Sequence, residues 1–318
     1  MSETSRLVHF PISFFAMVMG LSGLTIATEK AESTLALPVH VSPYLTIVTA
    51  VVFGLVALGY LLKLVRHADE VRKDLHHPVK ISFFPTISIS LILLAICTIH
   101  TAPALSEVLW QVGTAIHLAF TLYVLGAWIN HTHFEIHHMN PAWFIPVVGN
   151  ILVPIAGVAH GYVEISWFFF SVGLLFWLVL LVIVFNRFIF HHPLPDRLVP
   201  TFFILIAPPA VGFLSYLKLT GELDAFARVL FYSGLFLTLL LFAQFRKFAR
   251  LKFFLSWWAY SFPMAAITVA TLAFLDHGGP QSLQPLGVAL YALLVAIIAL
   301  LVVRTVAALA RRQICVPE

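Results

Sequence analysis

Residues 253–275 read FFLSWWAYSFPMAAITVATLAFL, a run without one charged side chain. A helix needs roughly 17–25 apolar residues to cross the hydrocarbon core of a bilayer, and this run is long enough. Its interior holds Pro263. Proline removes one backbone hydrogen bond and clashes with the carbonyl four residues back, so the helix kinks and the carbonyl of Ala259 is freed. In lipid an unsatisfied carbonyl is costly, so a broken helix belongs where protein or water surrounds it. This stretch therefore reads as a transmembrane helix that faces an interior.

The rest of the chain agrees. Hydrophobic residues make up 61% of the 318 positions, charged residues 10%, and mean hydropathy is +0.99. A water-soluble domain has about a quarter of its residues charged. The composition defines a polytopic integral membrane protein and excludes a disordered chain, a nucleic-acid-binding protein and a disulfide scaffold. Of two cysteines, Cys97 lies in an apolar run and Cys315 in the tail, which leaves no cysteine-rich metal site. The first nine residues carry one arginine, and no small-residue cleavage site follows the run from Phe10. That run is expected to be a retained first span.

Ten windows reach spanning length: 10–28, 45–64, 82–99, 105–129, 141–159, 164–186, 198–217, 225–245, 253–275 and 286–303. The expected fold is an all-α membrane protein in one transmembrane domain, 1–318. Fifteen of the 18 Lys and Arg residues fall in the amino-terminal segment, the even-to-odd loops and the carboxyl tail, and Lys30, Lys218 and Arg228 are the exceptions. Basic residues accumulate on the cytoplasmic side, so both termini are expected there.

Proline divides the windows into two sets. The odd windows hold Pro11, Pro85, Pro141, Pro146, Pro154, Pro200, Pro208, Pro209 and Pro263, and the even windows hold none. The reading is five helical hairpins around a central pore, with the odd helices kinked and inner and the even helices straight and outer. His76-His77-Pro78, His137-His138-Met139-Asn140-Pro141 and His191-His192-Pro193 recur before odd windows and support the repeat. The odd windows contain no Asp, Glu, Lys or Arg, and their polar groups are hydroxyls and the Asn150 amide. A path without intramembrane carboxylates suits passive passage of weakly hydrated ions better than a proton relay. The same hydroxyls have a second use, bonding back to helix carbonyls.

One stretch carries a family resemblance. Trp257-Trp258-Ala259-Tyr260-Ser261-Phe262-Pro263-Met264-Ala265 closely resembles the matching helix of the plant slow-type guard-cell anion channels and the bacterial TehA tellurite-resistance proteins. His77-Pro78-Val79-Lys80, Val147-Val148-Gly149-Asn150 and Ala207-Pro208-Pro209-Ala210-Val211 extend it in order along the chain. The resemblance implies a pore through each protomer, a homotrimer, and Phe262 lying across the pore as a gate. It implies passage of small monovalent anions such as chloride and nitrate, in a bacterial inner membrane. Relatives also carry C4-dicarboxylate and tellurite labels, which makes a transporter of the same fold the alternative. Ala16 stands where the family often has glycine, and without the long termini of the plant channels kinase control is not expected. The expected pore lining is Ala16, Gly20, Ser88, Asn150 and Ser261, with Phe14 and Phe15 as further candidates for the constriction.

On physical grounds alone, a benzyl group beside a kinking proline is a sensible plug, because an apolar constriction gates by dewetting. Histidines offer a remote alternative. His131-Thr132-His133-Phe134-Glu135-Ile136-His137-His138, with His67, His76, His77, His191 and His192, puts nine imidazoles in the expected cytoplasmic loops. Membrane di-iron enzymes also gather histidines on one face. These loops are short and tied to the repeat, so no enzyme, metal or cofactor is expected. His117 is the one titratable candidate for proton coupling within the spans.

Overall fold

The computed structural model describes residues 6–131 and 134–316, and among them every regular element is helical. Among the described residues, nine helices are long and apolar enough to cross a membrane: α1 (Ile12–Thr34), α2 (Ser42–Arg66), α3 (Lys80–Thr98), α4 (Pro103–Asn130), α6 (Val163–Phe190), α7 (Val199–Thr220), α8 (Ala225–Phe242), α9 (Leu255–Asp276) and α10 (Gln281–Ala310). The window at 141–159 holds a shorter apolar helix, α5 (Pro141–Gly157). Each of the ten windows thus contains a helix, and nine have full spanning length.

Proline explains why α5 is short. Pro141, Pro146 and Pro154 break it into two α-helical turns, Phe144–Val148 and Val153–Gly157, joined by the 3-10 stretch Gly149–Leu152. The carbonyls this exposes are answered by side chains. Thr121 donates to Pro146 O at 2.7 Å, Asn150 to Val147 O at 2.8 Å and Trp110 to Val153 O at 2.9 Å, while Ser215 bonds Ile151 O. Three of these donors come from the neighbouring α4 and α7. A helix so broken is stable only inside protein.

The other inner helices show the same habit in milder form. Each of α1, α3, α7 and α9 opens with a 3-10 stretch before the α-helix: Ile12–Phe14, Lys80–Phe83, Val199–Ile206 and Leu255–Tyr260. The windows had left the even helices without proline. The helices begin earlier than the windows, and Pro43, Pro103 and Pro285 occupy the first turn of α2, α4 and α10. In the first turn the missing N–H has no intrahelical partner anyway, so these helices stay straight.

Packing sorts the helices into two layers. Of the most apolar stretch of each helix, 67–83% is buried in α1, α3, α7 and α9, against 17–39% in α2, α4, α6, α8 and α10. Among the described residues, every exposed large hydrophobic within these ten helices lies on an even one, Leu55, Leu122, Val182, Phe236 and Val303 among them. Apolar side chains facing outward in such numbers are what a lipid environment stabilises. The inner helices touch in cyclic order: α1 on α3, α3 on α5, α5 on α7, α7 on α9, and α9 on α1. Each outer helix packs on its own inner partner and on the next inner helix, α10 bridging α9 to α1. Hydrogen bonds pin these layers: Thr25 to Thr49 (3.2 Å), Trp258 to Thr305 (3.0 Å) and Tyr291 to Thr28 (3.1 Å).

The loops are tied by charge. Lys63 is buried at the end of α2, where its ammonium donates to Phe10 O at 2.9 Å and to Asp74 at 2.7 Å. Asp74 sits on the loop helix Ala68–His76 and accepts a second ion-paired bond from Lys80 at 2.8 Å. Burial raises the Asp74 carboxyl, and the two lysine bonds outweigh it, leaving the group below its ordinary range. At the opposite end, Glu32 accepts from the N–H and hydroxyl of Ser42 at 3.0 and 2.6 Å and so caps α2.

Candidate functional site

Two cavities lie along the axis of the inner helices, and all five inner helices border both. The first, about 80 Å³, is enclosed by the amino-terminal halves, including Ala16, Phe144, Gly149, Pro208 and Phe262. No charged residue lines it. The second, about 410 Å³, is enclosed by the carboxyl-terminal halves and opens among charged residues. Outer helices contribute to neither.

Phe262, Leu152 and Val211 border both cavities, so they form the partition between them. Phe262 stands out within its helix. From Ser261 to Leu275 every other residue of α9 is buried, and Phe262 alone is half-buried. Accessible surface in the middle of a packed bundle means that the ring faces empty space. Pro263 follows it at the junction of the 3-10 opening and the α-helix. The ring rests against Gly23 of α1, which borders the second cavity.

The remaining residues expected to line a pore divide. Ala16 borders the first cavity. Gly20, Ser88, Asn150 and Ser261 border neither and are engaged between helices. Gly20 lies under Ser261 and Trp258, where any side chain would collide with the Ser261 hydroxyl. Ser261 donates to Trp258 O at 2.6 Å. Ser88 donates to Pro85 O at 2.8 Å and meets His117 Nδ1 at 2.9 Å. Asn150 donates to Thr121 at 3.0 Å, an interhelical bond in place of a pore-facing amide. Each of these polar side chains bonds the carbonyl three residues back in its own helix: Ser88 to Pro85 O, Asn150 to Val147 O and Ser261 to Trp258 O. Phe14 and Phe15 are buried in a separate cluster with Tyr60 and Phe84, away from both cavities.

His117 is buried in α4 with its ring against Gly149, whose other side borders the first cavity. It stands behind the cavity wall. The loop histidines have local structural work. His77 Nδ1 accepts from Val79 N (3.1 Å) and Lys80 N (3.3 Å) at the start of α3, and His138 Nδ1 accepts from Glu135 N at 3.1 Å. Thr132 and His133 lie outside the described residues. Among the described residues no group of three or more His, Cys, Asp or Glu is placed to hold a metal ion.

The inner helices pack around two axial cavities. Four of them are interrupted by proline, and α1 starts just past Pro11, which caps it and does not kink it. Sheathed by outer helices with exposed apolar side chains, they define a multi-pass membrane protein of the channel or transporter class. The chain belongs to the voltage-dependent anion channel family (SLAC1), which matches residues 9–306. It is 30% identical to the S-type anion channel SLAH3 of Arabidopsis thaliana over 94% of this chain and 48% of the plant protein. It is 31% identical to SLAH2 of the same plant over 85% of this chain and 54% of that protein. A tellurite resistance protein TehA homolog of Haemophilus influenzae is 29% identical, over 95% of this chain and 92% of that one. The chain spans about half the length of the plant relatives it matches.

Proposed function

We propose that this protein is an anion channel that passes small monovalent anions such as chloride and nitrate along the axis of its inner helices, with Phe262 as the gate. The observation that carries this reading is the position of Phe262: one half-buried ring separating two cavities that are otherwise continuous in direction. The wall of the first cavity is apolar, with no carboxylate to repel an anion and no fixed cation to trap one. Such a constriction excludes water while the ring is in place and conducts when it moves. Names of relatives, S-type anion channel above all, favour anions as the permeant class. In this reading α5 spans as the tenth helix, the termini and basic loops face the cytoplasm of a bacterial cell, and the protomers assemble as a homotrimer, each with its own path.

The relative named for tellurite resistance favours a second reading, a transporter of tellurite, with C4-dicarboxylates as the other cargo expected for such a transporter of the same fold. Proton coupling needs a titratable group on the path: His117 is held behind Gly149, and Glu29, His100 and His277 border the path only at the mouth of the second cavity. Planar-bilayer recording of the purified protein separates the two. A channel gives a reversal potential that follows the chloride or nitrate gradient and ignores the proton gradient. A reversal potential that moves with pH at fixed anion gradient overturns the channel reading.

A further inference from the structure

The second cavity differs in chemistry from the first. Its rim carries Glu29 and Lys30 from α1, His100 just beyond α3, Lys218 from α7 and His277 just beyond α9. The sequence windows stopped short of these residues because each lies in or past the last turns of an inner helix. The five inner helices run parallel, so their carboxyl ends bring the charges together around one mouth.

The rim charges are unequally engaged. Lys30 is ion-paired to Asp276, which also accepts from Thr34 at 2.8 Å. Glu29 has His100 as its neighbour at 3.8 Å. Other titratable groups nearby are occupied elsewhere: Glu32 with Ser42, His40 at 3.6 Å from Glu32, His160 with Ser106 at 2.9 Å, and Asp224 with Tyr216 at 2.6 Å. Glu222, on the loop after α7, does not border the cavity. His277 Nδ1 is bonded to Ala273 O at 2.8 Å and its other nitrogen is not committed by that bond. Lys218 is exposed and has no carboxylate within ion-pair distance among the described residues.

At neutral pH Asp276 cancels Lys30, and Glu29 balances Lys218, so the rim carries no net charge, although Lys218 makes no carboxylate contact among the described residues. Protonation of His100 and His277 therefore makes the rim net positive around Lys218. We propose that this vestibule is an anion-binding site, built on Lys218, whose capacity for small inorganic anions rises as His100 and His277 become protonated. The inference rests on the reading of the axis as an anion path and adds an entry site to it. A mouth that turns net positive between low-dielectric walls concentrates anions and raises their entry rate.

The test uses chloride on Phe262→Ala protein, in which the ring no longer limits flux, reconstituted in planar bilayers with pH set separately on each side. Lowering pH from 7.5 to 5.5 on the vestibule side should raise chloride current about twofold or more. The His100→Gln/His277→Gln double variant should lose that rise. Lys218→Gln should lower current at both pH values, by less in about 1 M salt, where screening is nearly complete. A rise that survives the double variant, or that appears only from the side of the basic loops, overturns the proposal. If the protein carries no chloride current at all, the channel reading has failed, and an equilibrium measurement decides the vestibule. In detergent, chloride should raise the melting temperature more at pH 5.5 than gluconate does, and Lys218→Gln should abolish the difference. Equal stabilisation in parent and variant overturns the site.

Discussion

The ring of Phe262 lies directly over Gly23: a methyl group placed on Gly23 would stand 3.4 Å from Cδ2 of the ring and 2.7 Å from the Cβ of Ala265. The first distance is close contact and the second is a collision with a side chain too short to move aside. Gly23→Ala should therefore push α1 and α9 apart at the partition and lower stability by about 1–3 kcal/mol, as overpacking does. Thermal melts of the purified variant read the loss. Ala265→Gly in the same chain should restore most of it, and a failure of that rescue would show that the collision is not what matters.

Phe262→Ala should increase anion conductance per unit of surface protein, with Phe262→Leu in between, because a shorter aliphatic group still dewets the path but blocks less of it. Bilayer or oocyte currents normalised to surface protein test this. A well-expressed Phe262→Ala that conducts no better than the parent removes the ring as the limiting barrier.

Phe274 supplies the contrast. It is fully buried and stacks on Phe231 with ring centroids 4.1 Å apart. Phe274→Ala should cost about 3–5 kcal/mol, the usual toll for deleting a core ring, without raising conductance. Phe262→Ala should cost clearly less, since part of its ring already borders empty space. Denaturation of the two variants side by side gives the comparison.

Asp74 predicts an acid dependence of stability. Its folded-state pKa lies below its unfolded value because the Lys63 and Lys80 bonds outweigh burial. A depressed carboxylate stabilises the fold above the unfolded pKa, near 4, and that stabilisation is lost as pH falls through the folded value. Stability should be flat above about pH 5 and decline below about pH 4. Asp74→Asn should flatten the decline and cost about 2 kcal/mol at neutral pH, since the buried Lys63 keeps only its bond to Phe10 O. Melts across pH check both statements.

Thr121 holds the middle of α5 by donating to Pro146 O and accepting from Asn150. Thr121→Val keeps the shape and removes both bonds, so it should lower stability by about 1–3 kcal/mol. Thr121→Ser should retain most of it. Anion selectivity should be unchanged in both, because Thr121 borders neither cavity. A selectivity change would place Thr121 on the path.

Much of the architecture was legible because proline carries physical information in lipid. A broken helix must hide its carbonyls, and α3, α7 and α9, which hold interior prolines, are buried; α1 is buried as well, though its proline, Pro11, lies just before its first residue. The direction of the inner-helix hydroxyls was not legible. Inner helices are apolar on every side, so no hydrophobic face reports which way Ser88, Asn150 or Ser261 turns. Each bonds the carbonyl three residues back, and the second partners, His117 for Ser88 and Thr121 for Asn150, follow only from tertiary neighbours. Leu152 and Val211, the aliphatic partners of Phe262 in the partition, carry no sign in the sequence that separates them from ordinary core. Lys30 and Lys218 were counted as loop residues, and Glu29 and His277 fell outside the windows, because charge ends an apolar window before it ends a helix.

The inner helices close on themselves although no loop joins α9 to α1, and α10 spans that seam as every other outer helix spans its own. Ile314 and Cys315 of the tail pack on the same cluster as Ile12 and Phe14, so the chain returns to where it began. The order of the hairpins is therefore a rotation, without a privileged first member. A polypeptide reopened between two other hairpins and joined across the present ends would encode the same set of neighbours. A circular permutant of this kind should keep the same neighbours, with α5, broken by its three prolines, still setting its hairpin apart from the others.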